Sequence, residues 1–76
     1  MYLKRLMDLR QDRDLQQAEI AALLHTTQPQ YSRYERGDRN LPLCHLITLA
    51  QFYNTSTDYL LGLTNDPRPV KEIAGK

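Results

Sequence analysis

The run Gln17-Ala18-Glu19-Ile20-Ala21-Ala22-Leu23-Leu24-His25-Thr26-Thr27-Gln28-Pro29-Gln30-Tyr31-Ser32-Arg33-Tyr34-Glu35-Arg36-Gly37 decides how this chain folds. Ile20, Ala21, Leu23 and Leu24 recur at helical spacing, and Glu19 in the first turn suits the positive end of the helix dipole, so a helix is expected from Gln17. It must stop before His25-Thr26-Thr27. Thr27 is a good N-cap, and Pro29 just beyond it sits in the first turn, where a missing N–H costs nothing. A second helix is therefore predicted from about Gln28 to Arg36, with Gly37 as its C-terminal stop and a length of roughly 13 Å at about 1.5 Å per residue. Two short helices joined by a three-residue turn make a helix-turn-helix over residues 17–36.

Packing can be read from the same residues. Ala21 is small where the two helices must cross, Ile20 and Leu24 face inward from the first helix, and Tyr31 and Tyr34 face inward from the second. Gln28, Pro29, Gln30, Ser32, Arg33 and Arg36 are left outside. Gln and Arg at the start of such a helix and one turn along can make the paired hydrogen bonds that adenine and guanine edges offer in a major groove. On composition alone a solvated polar face explains these residues equally well.

Outward from this run, Tyr2, Leu6, Leu9 and Arg13 fall at i, i+4, i+7 and i+11 and predict a first helix ending at Gln11-Asp12-Arg13-Asp14, with Leu3 and Met7 half exposed beside its stripe. On the other side, Asp38-Arg39-Asn40-Leu41-Pro42 reads as a loop. Pro42 opens a fourth helix in which Leu43, Leu46, Ile47, Leu49, Ala50 and Tyr53 are spaced to bury one broad side, and Asn54 is a suitable left-handed terminator. Thr55 or Ser56 caps a final short helix closed by Gly62. After it, residues 64–76 carry Pro67 and Pro69 and little periodicity, which predicts a loosely ordered tail. The expectation is an all-α chain of five short helices on one core over residues 1–63.

Composition bounds the function. Seventy-six residues predict a single domain, and the single cysteine, Cys44, excludes an intramolecular disulfide. The longest apolar run, Ile20–Leu24, is far short of the roughly 20 residues of a membrane helix. Cys44 and His45 are adjacent and point about 100° apart on a helix, so they cannot share a metal without a third ligand; a half-buried Cys44 and a solvated His45 are expected. Gly37, Gly62 and Gly75 are isolated, so there is no phosphate-cradling loop, and no residues support an enzyme. The net charge of +1 points to neither nucleic acid nor membrane as a total. Within residues 28–39, however, Arg33, Arg36 and Arg39 stand against only Glu35 and Asp38, and all three lie near the outward face.

Leu15 to Leu24, then Thr27, then Tyr31-Ser32-Arg33-Tyr34-Glu35-Arg36-Gly37, together with Leu43, Leu46, Leu49-Ala50 and Ser56-Thr57-Asp58-Tyr59-Leu60-Leu61-Gly62, resemble the Cro/repressor-type (Xre) helix-turn-helix family. The resemblance covers about residues 2 to 63 without a gap and implies a compact five-helix, lambda-repressor-like DNA-binding domain. It implies a cytoplasmic transcriptional regulator, commonly a repressor, bound as a homodimer to a two-fold symmetric operator, with no cofactor, membrane or small-molecule ligand. Residue by residue, it makes Gln17 a phosphate contact, Gln28, Gln30 and Arg33 base readers, and Ser32 a backbone or phosphate contact. Thr27 joins this DNA-facing set, and Arg36, Arg39 and Asn40 follow as phosphate contacts. Arg10 and Glu35 match a partly buried ion pair between the first and third helices. His25 and Asn54 stand where the family usually has Gly, and both tolerate a positive φ. Phe52, Tyr53, Tyr59 and Leu63 offer apolar area for a dimer surface. The alternative is a protein-interaction module such as an antitoxin or adaptor.

Overall fold

A computed structural model of the chain describes residues 2–69. All regular structure among them is helical: α1 (Lys4–Asp12), α2 (Gln17–Leu23), α3 (Gln28–Arg36), α4 (Leu43–Phe52) and α5 (Thr57–Leu60). They fall into two units that divide between Leu41 and Pro42.

In the first unit α3 packs against both α1 and α2. Leu6, Ile20, Ala21, Leu24, Tyr31 and Tyr34 are buried there as the helical spacing selects, while Leu9 and Leu23, which the same spacing places on the apolar faces, are half-buried. Thr27 Oγ1 accepts the Gln30 N–H at 3.3 Å, so α3 starts on its own side-chain cap, with Pro29 in the first turn. The entry to α1 departs from expectation. Tyr2 is 56% exposed and Leu3 only 6%. The helix begins at Lys4, so Tyr2 precedes the first turn and is not carried by the stripe, while Leu3 at the cap position turns inward.

In the second unit α4 packs against α5. Ser56 Oγ caps α5 by accepting the Tyr59 N–H at 3.0 Å. The buried side of α4 is narrower than its apolar residues suggest. Leu46, Leu49, Ala50 and Tyr53 are buried, whereas Leu43 is 69% and Ile47 43% exposed. Ile47 lies about 100° round from Leu46, and Leu43, one turn earlier, shares that edge at the helix end. The same geometry reverses the pair before it: Cys44 is exposed and His45 half-buried, because Cys44 lies opposite the buried arc and His45 beside Leu49. Of the expected tail, residues 64–69 are described. The Thr55 hydroxyl donates to the Pro67 carbonyl at 2.6 Å, and Arg68 holds Asp66 at 2.6 Å. The remaining tail residues lie outside the described part.

One termination device recurs at every described helix. Asp14, His25, Gly37, Asn54 and Gly62 all have positive φ. In each case the next residue donates back across the left-handed turn: Leu15 to Arg10, Thr26 to Ala21, Asp38 to Arg33, Thr55 to Ala50 and Leu63 to Asp58, all between 2.8 and 3.0 Å. These bonds satisfy carbonyls that a helix end otherwise leaves without partners. Three of the five positions are occupied by Asp, His and Asn, side chains for which a left-handed conformation is among the less unfavourable.

Candidate nucleic-acid interface

Glu35, 3% exposed, sits on the inward side of α3 and carries a carboxylate that needs partners. Arg10 of α1 supplies two, Nε to Oε2 at 2.7 Å and Nη2 to Oε1 at 3.1 Å. Arg10 Nη1 also donates to the Leu15 carbonyl at 2.9 Å, which fastens the turn before α2. The third donor to Glu35 is Gln17 Nε2, 3.1 Å from Oε1. Gln17 Oε1 in turn accepts from Gln28 Nε2 at 2.8 Å. A single hydrogen-bonded chain therefore runs from the ion pair, through the first residue of α2, to the first residue of α3. The shared carboxylate sets the relative placement of three helices, and the orientation of Gln17 is forced because its oxygen faces an amide donor and its nitrogen a carboxylate. Arg10, Gln16, Gln17, Ala18 and Gln28 line an open polar hollow in front of these residues.

A second group occupies the next turn of α3. Gln30 Nε2 donates to the Tyr34 hydroxyl at 3.1 Å, and Arg33 Nη1 donates to Gln30 Oε1 at 3.4 Å. Gln28, Pro29 and Arg33 are exposed, while Gln30 and Ser32 are half-buried. At the end of the helix, Arg36 pairs with Asp38 at 3.1 Å with both side chains largely in solvent, and beyond it Arg39 and Asn40 are exposed. A surface pair of this kind contributes little and is readily exchanged for another anion.

Of the site residues expected from the sequence, Gln17, Gln28, Arg10 and Glu35 come together in the first group, and Gln30 and Arg33 in the second. Ser32 lies between the two groups on α3. Thr27 stands at the head of the helix, where its side chain caps Gln30. Arg36, Arg39 and Asn40 follow at the far end. Three participants were not anticipated. Gln16 caps α2, its N–H donating to Glu19 Oε1 at 3.3 Å, and lines the hollow. Asp38 pairs with Arg36. The Tyr34 hydroxyl reaches Gln30, a contact that the i, i+4 spacing on a helix could have suggested. Of the four aromatic and apolar residues expected at a dimer surface, Tyr53 is 2% exposed and belongs to the interior, where its ring meets Phe52 edge-on at 5.1 Å; Phe52 and Leu63 are exposed and Tyr59 is half-buried. Cys44 Sγ lies 3.9 Å from His45 Nδ1, and among the described residues no three His, Cys, Asp or Glu side chains group to hold a metal ion. No described helix is long and apolar enough to cross a membrane.

A short helix presenting amides and guanidinia outward, braced by a buried ion pair against two others, is the arrangement of a helix-turn-helix. The chain belongs to the helix-turn-helix family, whose model matches residues 6–60. It is similar to an uncharacterized HTH-type transcriptional regulator, YobD, of Bacillus subtilis (strain 168), at 39% identity over 72 residues, 95% of this chain and 64% of the relative. It is also similar to the HTH-type transcriptional regulator ImmR of the same organism, at 42% identity over 59 residues, 78% of this chain and 46% of that relative. The chain thus spans between about half and two thirds of the curated relatives it matches. No solved structure matches significantly.

Proposed function

We propose that this chain is a sequence-specific DNA-binding transcriptional regulator, acting as a repressor, that sets α3 in the major groove of an operator as a homodimer. The observation that carries this reading is the outward face of α3, where Gln28 and Arg33 stand exposed on a helix braced through Glu35. In this reading Arg33 and Gln28 meet base edges, Ser32 and Gln17 meet the sugar-phosphate backbone, and Arg36, Arg39 and Asn40 approach phosphates beyond the helix, with Arg36 exchanging Asp38 for a phosphate oxygen. The names of both relatives as transcriptional regulators support it. A single module of this kind buries about 600–1,000 Å² of its surface on DNA, the low end for specific binding. A dimer doubles that and spaces the half-sites by about 34 Å, one helical turn. The reading implies a cytoplasmic protein that needs no cofactor, membrane or small-molecule ligand for this step, and it assigns no catalytic role.

Selection of bound duplexes from a random pool tests the proposal. A two-fold symmetric motif is expected, with Arg33→Ala changing the preferred sequence and Gln17→Ala weakening binding across sequences. Recovery of no motif at moderate salt removes the sequence-specific part. A second reading, a protein-interaction module such as an antitoxin or adaptor, is favoured by the exposed Leu43, Ile47, Phe52 and Leu63. Salt separates the two, because DNA affinity falls steeply with ionic strength through counterion release, while an apolar protein contact is much less sensitive.

A further inference from the structure

Gln30 is expected from its position to read a base, yet its amide is engaged at both ends within its own helix. Its nitrogen donates to the Tyr34 hydroxyl at 3.1 Å, and its oxygen accepts from Arg33 Nη1 at 3.4 Å. The amide cannot be turned round without loss, because a guanidinium only donates and so must face the carbonyl oxygen. Tyr34 is itself 6% exposed, so its hydroxyl is a fixed post at the protein side of the relay. The three residues stand at i, i+3 and i+4 on one side of α3, the spacing at which side chains meet.

We infer that Gln30 is a positioning residue for Arg33, and that the Tyr34–Gln30 relay aims the guanidinium at a guanine. The inference rests on the DNA reading above. One Nη1 proton is turned toward Gln30, which leaves the Nε and Nη2 edge of the guanidinium fork to address the two acceptors that guanine presents, O6 and N7, in the major groove. A long side chain ordered before binding loses less rotamer freedom on docking, so the relay sharpens discrimination through Arg33 without contacting the base itself.

Selection from random duplexes with the wild type, Arg33→Ala, Gln30→Ala and Tyr34→Phe tests this, with preference read base pair by base pair. Tyr34→Phe keeps the buried ring, and a thermal melt of each variant confirms that it is folded. Wild type is expected to enrich one guanine per half-site by roughly tenfold or more over other bases, and Arg33→Ala to abolish that preference. Gln30→Ala and Tyr34→Phe are each expected to lower the preference at that same guanine several-fold, leaving every other position and the affinity for a fixed unrelated duplex unchanged. Loss of preference at a different base pair in Gln30→Ala overturns the inference, and so does an undiminished guanine preference in Tyr34→Phe; both leave the DNA reading intact. Failure of the wild type to select any motif overturns the DNA reading itself, and the inference with it.

Discussion

The two units of this chain are held together by different chemistry. Among the described residues, the first buries a charged pair and chains it through Gln17 to Gln28 at the surface, and its one large exposed hydrophobic is Tyr2. The second buries Leu46, Leu49, Ala50, Tyr53 and Leu60 with only hydroxyls, Thr55 and Ser56, as buried polar company, and leaves Leu43, Ile47, Phe52 and Leu63 in solvent. Hydrogen bonds and ion pairs are directional, so they can hold a surface side chain at a chosen angle; apolar contact is not, and it tolerates small shifts. In the proposed DNA-binding reading, a polar network is therefore the appropriate support for a helix whose outer face has to be presented accurately, while a plain apolar interior suffices for α4 and α5.

The difference can be broken from the polar side first. Glu35→Ala strands the Arg10 guanidinium and is expected to cost about 3–5 kcal/mol in denaturant unfolding, whereas replacing Arg10 and Glu35 together by apolar residues of similar volume is expected to cost much less. If the double replacement proved as damaging as Glu35→Ala, the network would be contributing something other than mutual compensation of charge. In the second unit Leu49→Ala is expected to lose about 2–5 kcal/mol by cavity formation, read in the same unfolding experiment. Ser56→Ala, which removes the cap of α5, is expected to lose about 1 kcal/mol. Leu43→Ser should stay within about 0.5 kcal/mol of the parent, because the side chain is already exposed.

The smallest effect concerns residues 64–69. Hydrogen bonds from Arg68 hold the Asp66 carboxyl down at about 2 against an ordinary value of 3.8. A depressed carboxylate keeps its partner above its unfolded value and loses it as pH falls through the folded one, so the Asp66–Arg68 contact is expected to persist at pH 4 and to loosen near pH 2. Following the Asp66 carboxyl carbon by NMR checks this, with Arg68→Ala moving the midpoint up toward 3.8.

How much of this is legible in the sequence varies with how local the cause is. Both ends of α3 are readable because Thr27, Pro29 and Gly37 act within one turn of themselves. Asn54 as a left-handed terminator is readable from its place after the apolar run of α4, and His25 in that role comes from the family resemblance, where Gly is usual; Asp14 in the same role is hidden inside a polar cluster that signals only an ending. The face of α4 is misjudged by counting apolar residues, since Leu43, Ile47 and Cys44 obey helical geometry but lie beyond the arc that is actually covered.

What the sequence by itself determined is the succession of five helices, both ends of α3, the cap of α5, and the exposure of Gln28, Pro29, Arg33 and Arg36 on α3, because each follows from backbone preferences and spacing acting over three or four residues. Only the tertiary structure decided that Gln17 joins Glu35 to Gln28. The Gln17 links join residues 18 and 11 positions apart. Their geometry depends on how one helix sits against another, and a spacing pattern along the chain carries no such angle.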